Sequence, residues 1–439
     1  MKTATITIKK LVNGGYGLGR LDSGEVVLVR HALPGETARV TITASRKGLL
    51  FGQIDHLLSS HPARIPPPCP YYLRCGGCDL QHVSYPSQLA LKKELLSELL
   101  ERSAMALPAP QDLLPSPDQF GYRQRLRLQV DGDGRLGFHR HQSHAVVAVS
   151  GCLLAGKSLN HTLTALQDHA AARRMFSQST ALELLLNPST DRVAAIFHYR
   201  RRPRPADLQA AQRLTGDIAQ CERVFFQGDG WPLTAGGSPS GEQSPYRLEV
   251  RYPKIGDTGR DLNLRWEAGG FCQVNLGLNR RLIETVLTFA AAAPGQRLLD
   301  LFCGMGNFAV PGGLAGATVL GCEGQGAAIR AATDNARRAG LELVTFRKGA
   351  VHQTCRQLAE AGERFDCTVL DPPRAGAPQL APILAELCRD RLVYISCDPA
   401  TLARDLQALV GQGFSVSRIQ PLDMFPQTHH LETVVLLRR

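Results

Sequence analysis

The sequence predicts an α/β protein whose 439 residues form three domains. Three observations predict this class: short alternating strands near the N-terminus, mixed strands and helices in the middle, and strands that alternate with helices from residue 295 onward. Because the chain exceeds one ordinary domain in length, we place the domains at residues 1–58, 59–264 and 265–439.

Residues 1–58 are expected to form a small all-β barrel. Apolar and polar residues alternate in ITIKKLV, EVVLVRHAL and ARVTITA, and Gly-rich or Pro-Gly turns separate these segments. Barrels of this kind commonly carry single-stranded nucleic acid, but many are plain structural modules. An RNA-binding role for the barrel therefore has to be inferred from motifs in the rest of the chain.

The central residues 59–264 are expected to form an α+β domain. Leucines at helical spacing follow a Cys-rich loop in residues 87–102, RLRLQV and RVAAIFHYR predict strands, and residues 108–117 and 232–245 are rich in turn residues. Beyond them, RLLDLF, ATVLGCE, DCTVL and RLVYISC predict the strands of a parallel, doubly wound sheet. The C-terminal TVVLLRR is expected to be an edge strand of that sheet.

The composition points to a cytosolic protein with a polyanionic partner. No apolar run reaches the 18 residues that a membrane span needs, and the N-terminus lacks the apolar core of a signal peptide. The net charge of +11 suits RNA. Arg123, Arg125 and Arg127 alternate as on one strand face, and residues 199–204 read YRRRPR; each cluster fits RNA contact or a solvated face equally well. The twelve cysteines suggest a metal site or a catalytic thiol, since cytosolic chains seldom form disulfides.

A ligand site is predicted where RLLDLF runs into CGMGN at residues 303–307. Glycines there let the backbone turn tightly and approach a ligand at the carboxyl end of the first strand. Glu323 ends the next strand, where an acid hydrogen-bonds ribose hydroxyls. This spacing also fits a nicotinamide enzyme. The loop at residues 371–374, DPPR, resembles the D/N-P-P loop of methyltransferases that act on planar nitrogenous rings, and it favours S-adenosylmethionine.

Cys397 follows the next predicted strand and is the candidate nucleophile. C5 of uracil accepts a methyl group only after a thiolate has added at C6, so an enzyme for C5 needs a cysteine beside the methyl donor. A free thiol with a pKa of roughly 8.5 needs nearby cations or a helix N-terminus, and Arg374 and the helix beginning near Ala400 are candidates. Three other cysteines lie in apolar patterns typical of inert core residues: Cys322, Cys367 and Cys388.

The same chemistry needs a base, because C5 still carries a hydrogen after methylation. That hydrogen must leave before the thiolate can depart, and a carboxylate is the natural acceptor. Glu432 stands just before the final strand. His429 and His430 are alternative bases on chemical grounds alone.

Four cysteines are spaced like the ligands of a metal centre. Cys69, Cys75 and Cys78 lie on one loop, with Cys152 far downstream. Four thiolates fit either zinc or a [4Fe-4S] cluster. Structural zinc usually uses two Cys-x-x-Cys knuckles and only one is present, so the spacing favours iron. A structural role is expected, because three of the ligands clamp one loop.

Taken together, these motifs resemble the bacterial 23S ribosomal RNA uracil-5-methyltransferases, in the branch with an N-terminal, OB-like TRAM barrel and a [4Fe-4S] cluster. The resemblance spans nearly the whole chain and is most specific in PCPYYLRCGGCDLQH, GFCQVN, LDLFCGMGNFAVP, DPPRAG, SCDPATLARDL and HHLETVVLL. It implies a Rossmann-like methyltransferase domain, S-adenosylmethionine as the methyl donor, and RNA as the partner.

The resemblance also implies individual roles. Cys397 would be the nucleophile and Glu432 the base. The cluster would be held by Cys69, Cys75, Cys78 and Cys152, and the methyl donor by Gln273, Phe302, Asn307, Glu323 and Asp371. One departure stands at Ala350, where relatives commonly place Asp or Asn near the adenine.

Two other interpretations stay open. Methylation of the T-loop uridine of transfer RNA uses the same chemistry and motifs, while the barrel and the cluster favour ribosomal RNA. A non-catalytic RNA-binding iron–sulfur protein would leave Cys397 and Glu432 unexplained. We expect a monomer that binds RNA and neither DNA nor a membrane; the sequence does not identify the target uridine.

Overall fold

The computed structural model describes residues 2–103, 105–236 and 246–439. Most of the turn-rich stretch predicted at residues 232–245 therefore lies outside the described residues. The described chain contains a closed barrel, two seven-stranded sheets and a separate hairpin. This is the predicted α/β class with an N-terminal barrel. No described helix is both long and apolar enough to cross a membrane.

The N-terminal barrel closes through strands in the order β1-β2-β3-β5-β4. Its strands are β1 (Thr3–Val12), β2 (Tyr16–Arg20), β3 (Val26–Arg30), β4 (Thr37–Arg46) and β5 (Leu49–Ser59). The predicted alternation turns one set of side chains inward, where Ile6, Val27 and Val40 form the core. Gly52 lies so close to β4 that an added Cβ would stand 2.3 Å from a Val40 methyl group. A glycine is thus needed where the barrel closes.

The central sheet has the strand order β12-β11-β10-β9-β6-β7-β8. The elements of this part are α1 (Tyr85–Glu101), β6 (Arg125–Val130), β7 (Leu136–His139), β8 (Val146–Ala148), α2 (Lys157–Asp168), α3 (Ala170–Phe176), β9 (Ser179–Asn187), β10 (Arg192–Tyr199), α4 (Pro205–Asp217), β11 (Cys221–Gly228) and β12 (Trp231–Ala235). Helices α2, α3 and α4 cover one face. The other face packs into a core that is shared with the C-terminal sheet. The predicted strands RLRLQV and RVAAIFHYR are β6 and β10.

The C-terminal sheet is doubly wound, with the strand order β17-β16-β15-β18-β19-β21-β20. The elements after residue 246 are β13 (Arg247–Tyr252), β14 (Leu262–Glu267), α5 (Leu276–Ala290), β15 (Arg297–Leu301), α6 (Ala309–Leu314), β16 (Thr318–Glu323), α7 (Gly326–Arg338), β17 (Val344–Lys348), α8 (Val351–Glu360), β18 (Phe365–Leu370), α9 (Ala381–Leu387), β19 (Cys388–Ser396), α10 (Pro399–Val410), β20 (Ser415–Leu422) and β21 (Glu432–Arg438). Strands β15 to β19 are parallel, as predicted.

The expectation that TVVLLRR is an edge strand is wrong. It forms most of β21, which lies between β19 and β20, and β20 takes the edge. Six of the seven residues of β21 are buried. A run that is apolar at successive positions is typical of a strand covered on both faces, and an edge strand would alternate more.

Helix α1 joins the C-terminal sheet through a fully buried ion pair. Lys92 on α1 donates to the Asp423 carboxylate and to the carbonyl of Phe425, in the segment between β20 and β21. Gln88 on the same helix exchanges hydrogen bonds of 3.0 Å with the backbone amide and the side chain of Gln427. Gln427 has a φ angle of 70, so these bonds hold a backbone conformation that residues other than glycine rarely adopt.

We predict that Lys92→Met destabilises the protein by about 3–5 kcal/mol, because it leaves the Asp423 carboxylate buried without its cation. The double variant Lys92→Met/Asp423→Leu should regain most of that loss, since neither charge then remains. Lys93→Met is the matched control: Lys93 pairs with Asp112, which is exposed. Urea unfolding measures all three variants. An unchanged midpoint for Lys92→Met would contradict this account.

Candidate active site and cysteine cavity

A cavity of about 660 Å³ opens at the carboxyl ends of the parallel strands. The loops after β15, β16, β18 and β19 surround it, as expected for a ligand crevice in a doubly wound sheet. The cavity brings together most of the residues selected from the sequence: Gln273, Phe302, Glu323, Asp371, Arg374, Cys397, His430 and Glu432.

The loop after β15 forms the tight turn that its glycines predict. Phe302, Gly304 and Gly306 all have positive φ angles, of 61, 54 and 89. Glu323 at the end of β16 accepts hydrogen bonds from the backbone amides of Gly304, at 3.3 Å, and Gln325, at 2.8 Å. Its carboxylate is thus fixed at the cavity wall, in the position expected for binding ribose hydroxyls.

Asn307 belongs to this loop but is not among the residues that line the cavity. Its side-chain amide exchanges two hydrogen bonds with that of Asn279, at 2.9 and 3.1 Å. Asn279 lies on α5, so the pair fixes the loop to that helix. Ala350, the position that departs from the family pattern, is the N-cap of α8 and is also outside the lining residues.

The Cys397 thiol is half-buried directly after β19. Burial and the Glu432 carboxylate raise its pKa to about 11, whereas the positive charge of Arg374, which lines the same cavity, opposes that rise. The following residue, Asp398, caps α10 by accepting bonds from the amides of Ala400 and Thr401, at 2.9 and 3.0 Å. Of the two predicted activating features, Arg374 therefore supplies a nearby positive charge, while Asp398 occupies the helix N-terminus.

Two buried carboxyl groups accompany the thiol. Burial and the neighbouring Asp371 raise the pKa of Glu432 well above its usual range. Burial also raises the pKa of Asp371 to about 7. Carboxyl groups with raised pKa values can accept a proton and hold it near neutral pH, as a general base must.

The two histidines of the motif point to different places. His430 lines the cavity, and burial together with His429 and Arg374 lowers its pKa to about 4, so its imidazole is neutral at physiological pH. His429 instead places Nδ1 2.6 Å from the carboxylate of Asp79, next to Cys78. The structure thus brings His430 to the cavity at the strand ends together with Glu432 and directs His429 towards the cysteine loop.

Sequence reasoning missed two residues of the cavity. Phe271 is 66% exposed although it is a large aromatic side chain, and it lines the cavity. Its place two residues before Gln273 in GFCQVN was an available signal. Arg123 also lines this cavity, although its sequence pattern marks it only as one of three alternating arginines. Its neighbour in that series, Arg125, forms an ion pair with the buried Glu183.

The four selected cysteines line a second, smaller cavity of about 90 Å³. Three come from the loop before α1, and Cys152 comes from the loop after β8. In the described part of the chain, no group of three His, Cys, Asp or Glu side chains is arranged to hold a metal ion. Gly76 lets the loop approach β7, because an added Cβ would stand 2.8 Å from the amide nitrogen of His141.

Arg123 lies between the two cavities and lines both of them. The backbone amide of Arg123 donates to the carbonyl of Leu154, in the loop that carries Cys152, at 2.8 Å. Its Nε atom is buried with no hydrogen-bond partner among the described residues. The cysteine loop also bonds to the segment between β20 and β21, since the amides of Asp79 and Leu80 donate to the carbonyl of Gln427 at 3.1 and 3.0 Å.

Comparison with known proteins identifies two families in this chain. The TRAM domain matches residues 1–54, and the family described as tRNA (Uracil-5-)-methyltransferase matches residues 252–439. Among solved structures, the tRNA (uracil-54, C5)-methyltransferase of Pyrococcus abyssi, in complex with S-adenosyl-L-homocysteine, covers 99% of this chain and 100% of its own. Its TM-score of 0.73 at 23% identity shows a shared fold.

Two further relatives, each matched over more than nine-tenths of its own length, are more similar in sequence. The 23S rRNA (uracil(1939)-C(5))-methyltransferase of Pseudomonas putida is 35% identical over 99% of this chain and 93% of its own. The enzyme of the same description from Vibrio cholerae is 35% identical over 99% of this chain and 96% of its own. At this identity over nearly the entire length, the chain belongs to the family of 23S rRNA (uracil(1939)-C(5))-methyltransferases.

Proposed function

We propose that this protein transfers a methyl group from S-adenosylmethionine to C5 of a uridine in 23S ribosomal RNA, and that the relatives' uridine 1939 is the target. The observation that carries the proposal is the single cavity shared by Cys397, Glu432 and the loops after β15 and β16. We also propose a division into domains at residues 1–58, 59–264 and 265–439, and action as a monomer in the cytoplasm.

The residues that would hold S-adenosylmethionine are Gln273, Phe302, Asn307, Glu323 and Asp371. When bound, this cofactor supplies an electrophilic methyl group. The turn at Phe302 and Gly304 leaves room at the strand end, and the fixed Glu323 carboxylate suits ribose hydroxyls. Asn307 would act through the loop that it ties to Asn279. This set fits a nucleoside ligand at the usual place of the fold.

Cys397 starts the proposed reaction by adding to C6 of the uracil. The thiol gives its proton to solvent water, the new S–C6 bond forms, and the C5=C6 electron pair moves onto C5, which becomes nucleophilic. Because the pKa of this thiol is raised to about 11, the positive charge of Arg374 is needed to favour the thiolate. Arg374 would thus be a positioning and activating residue for the sulfur.

Glu432 completes the reaction after C5 has received the methyl group. It takes the remaining C5 proton, the C5=C6 bond re-forms, and the sulfur leaves C6 with its bonding electron pair. Burial and the nearby Asp371 favour the protonated form of Glu432, which makes the carboxylate a stronger base. The neutral His430, which lines the same cavity, is the alternative acceptor.

The target base must leave its stack to meet Cys397, because addition at C6 needs one face of the ring. Extrusion costs a few kcal/mol, which favours uridines in loops. Phe271, exposed beside the cavity, offers an aromatic face on which an extruded base can stack.

The experiment that tests the proposed function is incubation with tritiated S-adenosylmethionine and separate RNA fractions. We expect label in 23S ribosomal RNA, recovered as 5-methyluridine from one position. Label in the T-loop of transfer RNA would instead establish methylation of the T-loop uridine. The family description that matches residues 252–439 favours that alternative. Tight RNA binding without label in either fraction would indicate a non-catalytic protein.

Variants of the two catalytic residues should separate their steps. Cys397→Ala should abolish methylation and any covalent complex, because no other group attacks C6. Glu432→Gln should still attack and methylate but then stall, since removal of a general base costs about 10²- to 10⁴-fold. A heat-stable protein–RNA band on a denaturing gel should therefore appear with Glu432→Gln and be absent with Cys397→Ala.

Cys322→Ala is the matched control for this gel, because Cys322 is a buried core cysteine on β16. It should turn over normally without a persistent band. A covalent band from Cys397→Ala would remove that residue from the nucleophile role, and normal turnover by Glu432→Gln would assign the base to His430 or to water.

We propose that Cys69, Cys75, Cys78 and Cys152 hold a [4Fe-4S] cluster with a structural role. Four thiols that face one cavity match the donor set of such a cluster. Arg123 on the cavity wall gives independent support, because its Nε atom is buried without a hydrogen-bond partner among the described residues and four thiolates with their metal would supply net negative charge. When bound, the cluster would join the loop before α1 to the loop after β8.

Anaerobically purified protein should contain about four iron and four sulfide per chain and absorb broadly near 400 nm. Cys75→Ser should lose iron and lower the thermal midpoint, because the ligand set is broken. Cys355→Ala, at a buried cysteine on α8, is the control that should keep its iron. Stoichiometric zinc without iron in the wild-type protein would overturn the assignment.

A further inference from the structure

Five exposed arginines lie together at one end of the central sheet. Two are in the last turn of α3 and three are in the loop between β10 and α4, and we call this set the arginine surface: Arg173, Arg174, Arg200, Arg202 and Arg204. Arg200 joins the two elements, since its amide donates to the carbonyl of Gln178 at 3.0 Å and its guanidinium donates to that of Ser177 at 3.1 Å.

The positive charge of this surface is largely uncompensated. Within the described ranges, no carboxylate oxygen lies within 4.0 Å of the guanidinium groups of Arg174, Arg200, Arg202 or Arg204, and Arg173 has only Asp168, at 3.9 Å, whose side chain is 79% exposed. The remaining arginine of the loop, Arg201, is paired with Asp207 at 2.7 Å and fixes the loop. The loop is therefore held in place with its other cations directed to solvent.

A groove of about 780 Å³ runs beside the arginine surface. Arg173 and Arg200 line it together with neutral polar groups such as Ser150 and Gln167. Its two carboxylates, Asp131 and Asp133, are each 2.8 Å from Arg135. Cations and hydroxyl or amide donors in a wide groove are suited to a phosphate backbone, which needs no base-specific contact.

The strand register separates this surface from the catalytic cavity. Arg125, two residues after the cavity residue Arg123, pairs with Leu185 in β9, and Leu185 pairs with Ala194 in β10. Arg200 lies six residues further along the chain, which corresponds to about 20 Å at the usual rise of a strand. An RNA whose uridine occupies the catalytic cavity must therefore extend beyond the target loop to reach the arginine surface.

We propose that the arginine surface binds the phosphate backbone of a second RNA segment, remote from the target uridine, and thereby favours large ribosomal RNA over short stem–loops. This inference rests on the proposed function, since it assumes that the substrate is RNA. Arginine is suited to the role because its fork of donors bonds two phosphate oxygens at once. The exposed loop carries no catalytic group, so its effect belongs to substrate binding.

The test compares Arg200→Gln/Arg202→Gln/Arg204→Gln with the charge-retaining Arg200→Lys/Arg202→Lys/Arg204→Lys on two transcripts. One transcript is a minimal stem–loop around the target uridine, and the other is a 23S ribosomal RNA fragment that includes the flanking helices. For the long RNA, the Gln variant should lower the slope of log K against log salt concentration by about one per arginine and raise KM. Its kcat/KM on the stem–loop should be unchanged, and the Lys variant should keep most of the affinity for both.

Equal binding of the long RNA by the Gln variant and the wild-type protein would overturn the proposal. Equal losses on both transcripts would also overturn it, because the effect would then arise at the catalytic cavity or in folding. Binding is measured separately from methylation. If the wild-type protein methylated neither transcript, the proposed function would fail, while the salt slopes of the two variants would still decide the role of the arginine surface.

Discussion

The catalytic geometry depends on how α1 holds the segment between β20 and β21. That segment carries the turn at Gln427, the two histidines and, at its end, Glu432. Lys92 neutralises Asp423 at its start, and Gln88 bonds the turn itself, so one helix fixes both the start of the segment and its rare backbone conformation. The cysteine loop adds bonds to the same carbonyl of Gln427. Glu432, the proposed base, is therefore positioned by elements more than three hundred residues earlier in the chain.

Burial shapes the chemistry of the cavity as much as the choice of residues. It raises the pKa of the Cys397 thiol and of both carboxyl groups, so the site without substrate favours neutral, protonated forms. Such a site stores few buried charges, which would be costly. Arg374 opposes the effect of burial, because its positive charge lowers the pKa of the thiol and that of Glu432. The same surroundings that make the thiol hard to ionise make Glu432 a strong base.

Much of this arrangement could be predicted from local sequence patterns. The barrel, the parallel strands β15 to β19 and the place of Cys397 all follow from alternation and from the rule that ligands sit at carboxyl strand ends. The order of β20 and β21 could not be predicted so easily, because pairing between strands is a long-range property. For the same reason Arg123 and Phe271 were missed: their importance arises from the elements that face them. Asn307, predicted to touch the cofactor, bonds to Asn279 on α5.

The central sheet sets the distance between the cavity at the strand ends and the arginine surface. Its β6 begins at the catalytic cavity, where the amide of Gln124 donates to the carbonyl of Val274, and its β10 ends at the arginine surface. Both strands belong to one continuous hydrogen-bonded ladder with covered faces, so the distance between the two regions is set by a stiff element. A small cofactor needs only the C-terminal sheet. A folded RNA presents phosphates at fixed separations, and a rigid spacer between cavity and cations can select for that shape where a flexible linker could not.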